Sequence, residues 1–221
     1  MKYIKILTLI AGLLILNPFF SLAQKKTLDI DGGLYFNSSN VACHFSVNYN
    51  RLFNPNFGAS AGAMFLSAPL NVAAWSNVEK TSCYYLDNNN VQHVNVVLSA
   101  FYIRPLMYNM GIYGNYSILF EPIPYEYISI DKRTNNDLNQ VPEHIGGFQY
   151  SGFSPGTFAD AGFFRNFVKD DKGFRLFIGF GYGWYDMYAA YRRATINGQS
   201  LSTRIPGDNY YKRITIKLMG I

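Results

Sequence analysis

Phe174-Arg175-Leu176-Phe177-Ile178-Gly179-Phe180-Gly181-Tyr182-Gly183-Trp184 is the stretch that decides the fold. Phe174, Leu176, Ile178, Phe180, Tyr182 and Trp184 occupy every second position, and three glycines lie between them. Period two puts alternate side chains on opposite faces of a β-strand. One face is therefore continuously greasy. The other is narrow, with Gly179, Gly181 and Gly183 leaving room for Phe177 and Tyr185.

Seven further segments repeat this alternation: Thr27 to Phe36, Val41 to Leu52, Phe57 to Phe65, Val91 to Ile103, Met110 to Phe120, Thr157 to Val168 and Tyr210 to Met219. The decisive strand itself is expected to run on to Tyr188. In the second segment Val41, Cys43, Phe45, Val47 and Tyr49 oppose Ala42, His44, Ser46, Asn48 and Asn50. In the last, Ile214, Ile216 and Leu218 oppose Arg213, Thr215 and Lys217. The connections alternate as well. Asn54 to Asn56, Pro105 to Asn109 and Lys169 to Gly173 are short and turn-like; 66–90, 121–156 and 189–209 are long and polar. Only Asn37 to Asn40 is a short member of the long set. The reading is all-β: an eight-stranded antiparallel up-and-down transmembrane β-barrel over residues 24–221, with long extracellular loops at one end and tight periplasmic turns at the other.

Alternation does not by itself say which face is inside. A soluble lipocalin-like barrel would turn the apolar stripe inward. Two features favour the membrane. The polar stripe is mostly Ser, Asn, Thr and Gly, whereas a water-facing stripe carries many Lys and Glu. Charged residues are 15% of the chain and aromatics 17%, against about 25% charged in an average soluble domain. Aromatic girdles are expected from Tyr116, Phe120, Trp184, Tyr188 and Tyr210 at the outer rim, and from Tyr49, Phe57, Tyr102 and Phe174 at the inner rim.

The N-terminus predicts a secretory signal peptide over 1–23: Lys2 and Lys5, an apolar run from Ile6 to Leu16, and the small-residue cleavage site Ser21-Leu22-Ala23. Without Lys2 and Lys5 the formal charge falls from +5 to +3, which gives no footprint for nucleic acid. Cys43 and Cys83 are expected as free thiols, because Cys43 is in phase with the lipid-facing residues. No Cys and His spacing of a metal site is present, so neither metal nor cofactor is expected.

The exported N-terminus, the eight strands and the aromatic-glycine run resemble small outer-membrane β-barrels, in particular the OmpA-transmembrane-domain and OmpX-like barrels of the Bacteroidota. The resemblance implies an outer-membrane address in a Gram-negative bacterium, lipid as solvent, a monomer and no catalytic site. No periplasmic peptidoglycan-binding domain is expected after the eighth strand. Such barrels often end in an aromatic residue; this chain ends in Gly220-Ile221, out of phase with Leu218.

Within the barrel, Asp29 and Asp31 on the first strand and Arg213 and Lys217 on the last are expected to face the lumen and pair across the closing seam, Asp29 with Lys217 and Asp31 between Lys217 and Arg213. Charge in a narrow lumen is costly unless paired. His44 and His93 are expected in the lumen and His144 in a loop. His44 and Ser46 on one face are a loose match to a base and nucleophile. Trp75, Tyr84, Tyr85, Tyr125 and Tyr127 are expected to form contact surface in the loops, towards an extracellular protein or glycan. The function read from the sequence is a non-enzymatic outer-membrane barrel presenting its loops for surface interaction or envelope integrity. The alternatives are a lipid-modifying hydrolase and a conduit for small solutes or ions.

Overall fold

The computed structural model describes residues 25–38, 40–77, 79–134, 141–169 and 172–221. The expected signal peptide lies outside them. Along the chain come β1 (Lys26–Phe36), β2 (Val41–Leu52), β3 (Phe57–Pro69), β4 (Trp75–Ser76), β5 (Ser82–Leu86), β6 (Asn90–Met107), β7 (Met110–Phe120), β8 (Tyr125–Thr134) and β9 (Glu143–Tyr150). Then follow β10 (Gly156–Lys169), β11 (Lys172–Trp184), a short helix α1 (Ala189–Arg193), β12 (Thr195–Ile196), β13 (Gln199–Ser200) and β14 (Tyr210–Gly220).

Eight of these strands close into one antiparallel barrel in the order β1-β14-β11-β10-β7-β6-β3-β2. Each barrel strand pairs with its sequence neighbours in the barrel, and β1 meets β14 to close it. Closure satisfies every edge, which is what a strand needs in a solvent that offers no hydrogen bonds. The alternation of the sequence decides what faces out. Ile178, Phe180 and Tyr182 are 47%, 61% and 57% exposed, whereas Asn48 and Thr215 are 3% and 7% exposed. The barrel is thus apolar outside and polar within, the arrangement of a transmembrane barrel. Cys43 is on the outer face, and Cys43 and Cys83 are both free thiols.

The lumen is filled in three layers. Towards the short turns, Phe101, Ile103, Tyr113, Phe164, Phe177 and Met219 form an apolar plug. Polar and charged groups occupy the middle. Towards the long loops, Tyr35, Met64, Leu66, Phe158, Tyr185 and Tyr211 form a second apolar layer. A cavity of about 20 Å³ remains among Ser46, Asn48, Ser99, Asn115, Ser117 and Thr215. That is room for about one water.

The glycines of β11 explain how so many large groups fit. A Cβ on Gly179 would lie 1.9 Å from the Tyr113 hydroxyl, and one on Gly181 would lie 2.0 Å from Asp160 Oδ1. Asp160 is gripped by Arg213 and cannot swing aside. Gly181→Val is therefore expected to destabilise the barrel by about 1–3 kcal/mol, the usual cost of overpacking. A lowered urea midpoint in detergent micelles would register it; an unchanged midpoint would mean that the lumen has slack.

The three long connections are where the structure departs from expectation. They are folded. β4, β5, β8 and β9, drawn from the first and second of them, form a four-stranded sheet, and β12 and β13 make a small hairpin in the last. The strands feeding them outlast the bilayer: β6 has 18 residues, where a crossing takes about 9–11. Cys83 accordingly sits on β5 and not in a loop. The segment after Trp184 leaves the sheet and leads into α1, so the decisive strand stops short of Tyr188. Tyr188 is fully buried, its hydroxyl donating to the Pro69 carbonyl at 2.8 Å, and it is not a rim residue. Trp75, Tyr84, Ile128, Ile130, Met187, Tyr191 and Leu201 share one apolar cluster with the upper lumen layer. The folded connections are a cap continuous with the barrel core.

Candidate functional site

The polar middle of the lumen is built from alternate residues of six strands. Asp29 Oδ2 lies 3.3 Å from Lys217 Nζ. Asn48 donates to Asp29 Oδ1 at 2.7 Å, and Asp31 Oδ1 lies 2.8 Å from His44 Nε2. Arg213 does not turn to the acids of β1. The register sets Asp31 opposite Lys217 and Tyr35 opposite Arg213, which carries the guanidinium above the β1 carboxylates. It reaches Asp160 on β10 instead, with Nε donating to Oδ1 at 2.8 Å and Nη2 donating to Oδ2. Nη1 donates to the Tyr35 hydroxyl at 2.9 Å, and the Phe158 ring lies 4.8 Å from the guanidinium carbon. Planar, two-pronged recognition of a carboxylate is what guanidinium geometry suits best. The seam expected from the sequence did not include Asp160.

His44 and Ser46 do not make a catalytic pair. The His44 ring nitrogen that has a partner faces Asp31, and Ser46 accepts a hydrogen bond from Asn48 at 2.9 Å. Both are buried in the lumen, on the side of the wall away from lipid. Asp31 is the carboxylate beside His44 that the sequence did not reveal; it comes from the neighbouring strand.

The residues expected as loop contact surface divide into two groups. Trp75 and Tyr84 are 3% and 2% exposed and stack on each other with centroids 5.6 Å apart inside the cap. They are core, not contact surface. Tyr85 is half-buried. Tyr125 and Tyr127 are 54% and 51% exposed. On the outer face of the β8–β9 hairpin Tyr125 pairs with Tyr150 and Tyr127 with Phe148, at centroid distances of 5.0 and 5.2 Å. Phe148 and Tyr150, unremarked in the sequence, complete a four-ring face. Only pairing β8 with β9 brings these distant residues together.

A second constellation lies where the cap meets the wall. His93 projects inward from β6, Glu121 directly follows β7, and Glu126 is on the inner face of β8. Their ligating atoms all lie within 4.8 Å of one another. His93 Nε2 is 2.8 Å from the Met187 carbonyl. Its Nδ1 contacts Glu121 Oε1 and lies 3.1 Å from Glu126 Oε1. Burial pushes the Glu126 carboxyl up to about 7; His93 opposes the shift, while Glu121 and Asp186 add to it. No spacing in the sequence marks these three residues. Glu121 and Glu126 are close along the chain, but His93 joins them only through the barrel.

The fold and its filled lumen define the class: a small eight-stranded transmembrane barrel with a folded cap. No family model and no curated protein matches the chain. Among solved structures it is similar to Neisserial surface protein A, at 9% identity over 89% of this chain and 97% of that one, with a TM-score of 0.41. It is also similar to Ail, the attachment invasion locus protein of Yersinia pestis, solved with the heparin analogue sucrose octasulfate (8% identity, 90% of this chain and 98% of that one, TM-score 0.36). A third is the N-terminal β-barrel domain of Pseudomonas aeruginosa OprF (10% identity, 89% of this chain and 99% of that one, TM-score 0.34).

Proposed function

We propose that the chain is a non-enzymatic outer-membrane barrel of a Gram-negative bacterium, delivered by a cleaved signal peptide, whose cap is presented outside the cell for contact with an extracellular protein. The observation that carries this reading is the four-ring face of the β8–β9 hairpin. Phe148 is 75% exposed, and Tyr125, Tyr127 and Tyr150 stand beside it at 54%, 51% and 43%. Exposed aromatics on a rigid sheet are anchor residues of protein contacts. A rigid cap also loses little conformational freedom on binding. An open conduit finds no support in a lumen with an apolar layer at each end.

The address and the contact role are tested separately. Fractionated cells should yield the chain in outer membranes, with migration that changes on heating, and protease added to intact cells should reach the cap. Recovery from a detergent-free soluble extract would end the membrane reading. For contact, Tyr127→Ser with Phe148→Ser should leave heat-modifiable migration unchanged. It should reduce retention of a fluorescently labelled mixture of extracellular proteins on the cell surface by ~10-fold, the loss of one strong anchor. Equal retention by both chains would overturn the contact role.

A further inference from the structure

We propose that His93, Glu121 and Glu126 bind one divalent transition-metal ion of the zinc class and that this ion clasps the cap to the barrel wall. An imidazole nitrogen with two carboxylate oxygens is a donor set for a borderline ion, not for calcium or magnesium, which prefer oxygen alone. The three donors come from the wall strand β6, the exit of β7 and the cap strand β8. A metal held among them would tie the cap strand β8 to the wall strands β6 and β7.

The polar accounting points to a cation. Glu126 is nine-tenths buried, its side chain only 10% exposed. Among the described residues neither of its oxygens accepts a hydrogen bond, although Oε1 lies close to His93. A buried carboxylate without partners is costly, and both of its oxygens are free to serve a ligand. No lysine or arginine among the described residues forms an ion pair with Glu121 or Glu126. Asp186, the other acid nearby, is held by Arg192.

His93 is set up in the manner of a metal ligand. Its Nε2–H donates to the Met187 carbonyl at 2.8 Å. That bond fixes the ring and leaves Nδ1, the atom facing both carboxylates, as the nitrogen that carries either a proton or a metal ion. Two carboxylates beside one ring nitrogen call for positive charge between them, and a metal ion can take the place of the Nδ1 proton there. Nδ1 and Glu126 Oε1 are 3.1 Å apart. Two ligands of a tetrahedral zinc ion stand roughly 3.3 Å apart at ordinary bond lengths. A cavity of about 10 Å³ lined by Glu121, Ser151, Ser154, Tyr185 and Asp186 adjoins the site at Glu121, space for about one water that would add to the ion's coordination.

The test is calorimetric titration of zinc chloride at pH 7.5 into the full chain, folded in detergent micelles and stripped with EDTA. One zinc per chain is expected. Both His93→Ala and Glu126→Gln should weaken binding by more than ~10-fold, at least the loss seen when a mere supporting group is removed. His144→Ala should leave it unchanged, because His144 is exposed and pairs with Asp131 on the opposite face of the hairpin. Heat-modifiable migration of each variant shows that the barrel has folded. Should Glu126→Gln fail to fold, Glu121→Gln takes its place with the same expected loss. Zinc should also slow trypsin cleavage within the cap of the parent chain and not of His93→Ala. Absence of stoichiometric binding, or binding lost in His144→Ala and kept in the cluster variants, would overturn the proposal.

Discussion

Asp160→Ala is expected to destabilise the barrel by about 3–5 kcal/mol, the cost of stripping a buried charge of its partner. Arg213 is 6% exposed and Asp160 7%, so neither can exchange its partner for bulk water. With Asp160 gone, two of the guanidinium's donor groups lose their acceptors and only the bond to Tyr35 remains. Asn115, which also donates to Asp160 at 3.2 Å, loses an acceptor too. The double variant Asp160→Ala with Arg213→Met should recover most of the loss, because a paired charge replaced by apolar volume is often neutral. Urea titration of the folded chain in micelles, followed by heat-modifiable migration, measures both. Equal destabilisation by single and double variants would show that packing around Phe158 and Tyr35, not charge, holds this layer.

Trp75→Ala should unfasten the cap and leave the barrel closed. Trp75 is the largest aromatic of the cap core, stacked on Tyr84 and with the Arg204 guanidinium 5.7 Å from its ring. Removing a buried tryptophan costs about 3–5 kcal/mol. β4, the strand carrying it, is two residues long and has no other large anchor. Local opening is therefore the expected response, ahead of global unfolding. Limited trypsinolysis should cut after Lys132 or Arg133 at least ~10-fold faster in the variant than in the parent, while the barrel band stays heat-modifiable in both. Trp75→Phe should behave much like the parent, since the indole nitrogen has no hydrogen-bonding partner among the described residues. Loss of the folded barrel band in Trp75→Ala would mean that cap and barrel are one cooperative unit.

These two variants probe layers that were unequally visible in the sequence. The barrel wall was legible because its signal is local. The alternation of β2, with Phe45, Val47 and Tyr49 outward and His44, Ser46 and Asn48 inward, needs only neighbouring residues to be read, and lipid rewards it at every rung. The loop lengths located the cap end for the same reason. The content of the loops was not legible. β8 carries Tyr125, Tyr127, Ile128 and Ile130 within a segment rich in Pro, Asn and charge, and its partners β5 and β9 lie in different stretches of sequence. Trp75 and Tyr84 looked like surface because nothing near them in the chain covers them.

By itself the sequence determined the eight barrel strands, the closed topology and the turning of the continuous apolar stripe to the outside, since period-two patterning and solvent preference are properties of each strand alone. Tertiary structure alone decided that Arg213 grips Asp160 instead of Asp31, that the long connections fold into a cap, and that His93 meets Glu121 and Glu126. The physical reason is register and reach. A shift of one strand against its neighbour preserves every inside and outside assignment when it moves by two residues, yet it hands each lumen charge to a different partner.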